Sequence, residues 1–118
     1  MKSPLAAVLT GFALYSAVIV AMSLLWEREQ ALLGVLLAIV ALTLALYRSR
    51  RLTVFFFVGA ILGPLAESFA IRAGAWTYGG IEALFPLWLP PAWGLAALLM
   101  VVIVDGCLSL WPGDHGSR

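Results

Sequence analysis

Charge is what this sequence has least of. Only 11% of its 118 residues are Asp, Glu, Lys or Arg, against 64% hydrophobic, and its mean hydropathy is +1.05. Water-soluble domains carry about 25% charged residues. That scarcity excludes a soluble fold and points to a chain that lies mostly in lipid. A net charge of +1 gives no basic field of the kind that holds nucleic acid. There is one cysteine, Cys107, so no internal disulfide can form, and its apolar surroundings read as those of a small buried hydrophobe. The one histidine, His115, sits in the polar tail WPGDHGSR, so no histidine lies in a span to ligate haem, chlorophyll or a metal ion. HExxH, Walker, GxSxG and CxxC patterns are all missing. No metal and no cofactor is expected.

What is there is length of apolar run. About 20 residues of helix cross a hydrocarbon core of roughly 30 Å. The sequence predicts an all-α, polytopic membrane protein with spans at about 4–26, 30–47, 52–73 and 91–111. These make a single four-helix domain over 1–111, with a short polar tail at 112–118. The run that begins at Pro4 is too long for a signal-peptide core and ends in WEREQ, so it reads as an uncleaved first span. The EREQ and YRSRR connections allow only tight hairpins. Lys2, Arg48, Arg50, Arg51 and Arg118 fall on one side, and Arg28 and Arg72 on the other. By the positive-inside bias this predicts an N-in, C-in topology.

The first two spans read as scaffold, and the chemistry-bearing residues cluster in 59–105. Gly59, Gly63 and Glu67 recur every four residues and share one helix stripe. Gly59 and Gly63 form a GxxxG, which lets another helix come close. Pro64 lacks an N–H and clashes with the Ala60 carbonyl, so a kink is expected there. Placing Glu67 in a span costs about 3 kcal/mol on the insertion scale. Two readings of it stay open: a structural acid bonded to Ser68, Tyr15 or backbone groups, or a general acid or proton carrier. Arg72 lies 140° around the helix from Glu67 and is expected to snorkel to headgroups.

Residues 74–90 form a greasy, proline-broken connection, expected to lie in the membrane interface or fold over the bundle as a lid. Pro91 suits the first turn of the last helix. Asp105 stands near the opposite end of the bundle from Glu67, roughly 13 Å away along the helix axes. The two therefore do not make a dyad, and Asp105 is expected to pair with Arg48, Arg50 or Arg51.

The segments GPLAESFAIRAGAWTY and FPLWLPPAWGLAALLM together resemble a family of small bacterial inner-membrane proteins of unknown function. That family shows a glycine, an acidic residue, a glycine with an aromatic, then a P-x-W-x-P/L-x-x-W stretch opening the last helices. The likeness covers about residues 59–100. The same region resembles membrane proteins of carotenoid biosynthesis, the hydratase and cyclase-like group, although this chain is shorter and has no paired acidic motif. The matched positions are Gly63, Glu67, Gly74, Trp76, Tyr78, Pro86, Trp88 and Trp93. The resemblance implies a bacterial inner-membrane location and, for the carotenoid group, Glu67 as candidate catalytic acid.

Three functions follow as expectations. The first is an accessory or structural subunit of a larger membrane assembly, or a homo-oligomer, packed through Gly59, Gly63 and Pro64. The second is an enzyme or binder of an isoprenoid or lipid, with Glu67 as the acid and Trp76, Tyr78, Trp88, Trp93 and Gly63 around the ligand. The third is a proton-coupled small-molecule transporter. Membrane lipids are partners in each.

Overall fold

The computed structural model describes residues 3–74 and 86–112. They form four helices: α1 (Pro4–Leu25), α2 (Glu29–Tyr47), α3 (Arg50–Arg72) and α4 (Leu89–Leu110). Among the described residues there is no strand. All four helices are long and apolar enough to cross a membrane, as expected of an integral membrane protein.

Local chemistry sets the helix ends. Ser3 caps α1 by accepting the Ala6 N–H at 3.2 Å, with Pro4 following at a position where a missing N–H costs nothing. Ser49 caps α3 in the same way, accepting from Leu52 N at 3.2 Å. Between them Arg48 stops α2 in a left-handed conformation, φ 40°. α4 starts at Leu89, two residues before the start expected from sequence. Pro90 and Pro91 both fit its first turn, where the N–H groups have no intrahelical partner. α3 runs through Pro64 as one helix, with the Ser68 hydroxyl donating to the Pro64 carbonyl at 2.8 Å.

α4 is the middle of the molecule. It packs on α3 most extensively and on α1 next, while α1 and α3 do not meet. Leu95, Leu98 and Leu99 of α4 and Leu32 and Leu36 of α2 are fully buried. Lipid tails are as apolar as leucine, so burial alone drives little helix association in a membrane; close approach must do it. Glycines supply that approach. A Cβ on Gly59 would stand 2.6 Å from Ala97 Cβ and 2.9 Å from the Trp93 carbonyl, and one on Gly94 2.6 Å from the Phe56 ring. The GxxxG of α3 is thus used inside the chain, against α4. Gly106 plays the same part against Val8 and Pro4 of α1.

Two polar ties join helices end to end. The Tyr47 hydroxyl donates to the Ala7 carbonyl at 3.3 Å, and the Leu87 N–H donates to Glu29 Oε1 at 2.8 Å. Cys107 corrects the expectation of a buried thiol: it is exposed. The core-facing residues of α4 are Leu95, Leu98, Leu99, Val102 and Gly106, and one further residue turns the chain 100° away from them.

Candidate functional site

Glu67 lies on α3 one turn beyond Gly63. The indole Nε1 of Trp93, on α4, donates to Glu67 Oε2. Gly63 makes this possible, because any side chain there would overlap the Trp93 ring. The tryptophan therefore lies against bare α3 backbone, and its N–H reaches the carboxylate one turn on. Sequence reasoning offered Ser68 as a partner for Glu67, but that hydroxyl is spent on the Pro64 carbonyl. A serine in a helix reaches the i−4 carbonyl of its own turn more easily than a side chain beside it.

Glu67 also borders a cavity of about 280 Å³ between α1, α3 and α4. Tyr15, Val18 and Met22 form its α1 wall, and Trp88, Trp93 and Ala96 its α4 wall. Trp88 is 5% exposed and Pro86 is fully buried, while Leu87 between them is 64% exposed, so the described end of the 74–90 connection turns two of its side chains into the bundle. Trp76 and Tyr78, expected around the same ligand, lie outside the described residues. Tyr15 and Met22 sit in the α1 run that read as plain scaffold. Tyr15 was expected beside Glu67 as a bonding partner and borders the same cavity, while nothing in the sequence marked Met22.

A larger groove, about 530 Å³, runs along the other flank of α3 past Pro64, Ser68 and Phe69 to Arg72. Among the described residues it holds no acid or base besides that exposed arginine, so size alone does not make it the better site.

At the opposite end of the bundle, Arg51 Nη1 donates to Asp105 Oδ2 at 2.6 Å, joining α3 to α4. Arg48 does not share this pair. Its left-handed backbone turns the side chain back along α2, and Nε donates to the Ala45 carbonyl at 3.3 Å. Arg51–Asp105 is the one ion pair among the described residues, and Arg72 does not pair with Glu67 there. Glu67 and Asp105 border different cavities at opposite ends, which rules out a shared proton. No three His, Cys, Asp or Glu side chains converge among the described residues.

Chemically the Glu67 site can anchor a polar group at the mouth of an apolar pocket. The faces of Trp88, Trp93 and Tyr15 suit an alkene chain or a developing positive charge. No family model, curated protein or solved structure matches this chain.

Proposed function

We propose that this chain is a small polytopic membrane protein that binds an isoprenoid- or lipid-class ligand between α1, α3 and α4. Glu67 anchors the polar end of the ligand, and the Trp88, Trp93 and Tyr15 side chains hold its hydrocarbon. One observation carries the reading: the carboxylate, held by the Trp93 indole, opens on an apolar cavity of about 280 Å³. A carboxylate serving only to join helices has no need of a cavity beside it. The Arg48, Arg50 and Arg51 end is cytoplasmic in this reading, α3 bends at Pro64, and the membrane is a bacterial inner membrane, in keeping with the family resemblance of residues 59–100. Single cysteines at Ser3 and Trp26, in a Cys107→Ser background, test the topology. Impermeant thiol reagents should label position 26 in intact cells and position 3 only after lysis; the reverse would invert it.

The binding test is purification in mild detergent followed by mass spectrometry of extracted small molecules. A retained hydrocarbon-chain compound, depleted in Glu67→Gln at equal protein yield, is the expected result. Equal retention in the variant would remove Glu67 from the site.

An accessory-subunit role is the second reading. It is favoured by α3, of whose span only 17% is buried, leaving most of that helix open to a neighbour. The GxxxG face gives it little support, since Gly59 and Gly63 are already occupied by α4. A stoichiometric protein partner at purification would favour it over ligand binding. The transporter reading has no acidic residue in α1 and no observation in its favour.

A further inference from the structure

The end of the bundle that carries Arg48, Arg50 and Arg51 holds a second cavity, of about 340 Å³, and its character is unlike the first. Ser3, Tyr47, Ser49, Arg51, Asp105 and Ser109 border it, so every helix contributes a polar group. Ser3, Tyr47, Ser49, Arg51 and Ser109 sit within a residue of a helix end, and Asp105 lies five residues inside the end of α4. Trp111 and Leu5, 64% and 53% exposed, flank the same end with apolar surface. A polar recess ringed by exposed apolar side chains at the end of a membrane span lies at headgroup depth.

The charges in it are of both signs. Arg51 and Asp105 touch through one nitrogen and one oxygen. Among the described residues, Arg51 Nε and Nη2 and Asp105 Oδ1 have no hydrogen-bond partner. Each side chain is half exposed or more, 58% and 50%, and an ion pair this exposed adds little to stability. The Ser3 and Ser49 oxygens accept backbone N–H groups, which leaves both hydroxyl protons to donate outward. Arg48 and Arg50 neighbour Ser49 and Arg51 in the chain and add positive charge to this end of the bundle.

We propose that this recess seats the headgroup of a phosphatidylethanolamine-class phospholipid. The phosphate lies on Arg51 and the Ser49 hydroxyl, and the ammonium on Asp105. A simple anion would meet the Asp105 carboxylate, and a simple cation would meet Arg51. A zwitterion that carries phosphate and ammonium a few atoms apart satisfies both. Guanidinium matches phosphate geometry through two parallel N–H groups. An ethanolamine ammonium can donate hydrogen bonds to a carboxylate, whereas a choline nitrogen cannot. This site is separate from the Glu67 cavity and stands whichever ligand, if any, binds there.

The full chain is placed in nanodiscs containing equal amounts of phosphatidylethanolamine, phosphatidylcholine and phosphatidylglycerol with identical acyl chains. Lipids that remain bound on release are counted by native mass spectrometry. Retention of phosphatidylethanolamine over phosphatidylcholine by about threefold or more is expected, the scale of one exposed charge contact. Asp105→Asn should equalise those two lipids, Asp105→Glu should restore the preference, and Arg51→Gln should lower all three. Equal retention of the three lipids by the unmodified protein would overturn the proposal, as would a preference for phosphatidylglycerol. So would displacement of the bound lipid by millimolar soluble phosphoethanolamine, which would assign the recess to a free metabolite. The comparison within the unmodified protein needs no variant to fold.

Discussion

Glu67 and Trp93 are 26 residues apart in sequence and meet because residue 63 has no side chain. Their hydrogen bond joins a carboxylate to an indole N–H between two helices. In membranes such contacts are worth about 0.6 kcal/mol on average and reach about 1.7. A double-mutant cycle of Glu67→Ala and Trp93→Phe, read by unfolding in mixed micelles, should give a coupling of about 1 kcal/mol. A coupling near zero would mean that the two side chains do not act on one another. The identity of Glu67 as the unusual residue was plain from the sequence, because an acid in a span is costly wherever it points. Its partner was not. Tryptophans near a span end read equally well as interfacial anchors, and only the rotation of α4 relative to α3 decides that Trp93 packs on α3 at Gly63.

Among the elements, α3 and α4 set the architecture through Gly59, Gly63 and Gly94. Gly63→Leu should separate these helices and cost roughly 3 kcal/mol or more, the scale of overpacking in a well-packed core. Gly34 is the control: a Cβ there meets nothing within 4 Å, so Gly34→Ala should stabilise α2 by about 0.5–1 kcal/mol. Comparable losses at both positions would contradict the crossing described for α3. A second element-scale device is the Glu29 carboxylate, which accepts the Leu87 N–H just ahead of α4. Glu29→Ala should cost about 1 kcal/mol, as capping losses do, and should speed amide exchange at residue 87 without touching α3. Unchanged exchange there would remove the tie.

The four helices were legible from hydropathy because lipid imposes a length that few sequences meet by chance. Their ends were legible to within a few residues from the EREQ and YRSRR connections and Pro91, whereas the Ser3 and Ser49 caps were not read. The GxxxG of α3 was legible as a contact face, but not as one spent inside the chain. Gly94 and Gly106 went unremarked because they are 12 residues apart and form no motif, although each faces a neighbour. Glu29 was also missed, since an acid at the start of a helix already has a local reason to be there.

As a whole, the molecule is an α4-centred bundle with an apolar cavity near Glu67 at one end and a polar recess at the other. The central claim concerns the first: that the space between Tyr15, Met22, Trp88 and Trp93 is built to hold hydrocarbon. Ala96 borders that space from α4. The most direct measurement is the molar ratio of hydrocarbon ligand to protein, by mass spectrometry of extracts, for the native chain and for Ala96→Phe, whose ring fills the cavity without touching Glu67's charge. The account predicts a near-stoichiometric ligand in the native protein and its loss in the variant, with thermal stability unchanged or raised. A native protein that carries no such ligand, or an Ala96→Phe protein that carries it undiminished, would contradict it.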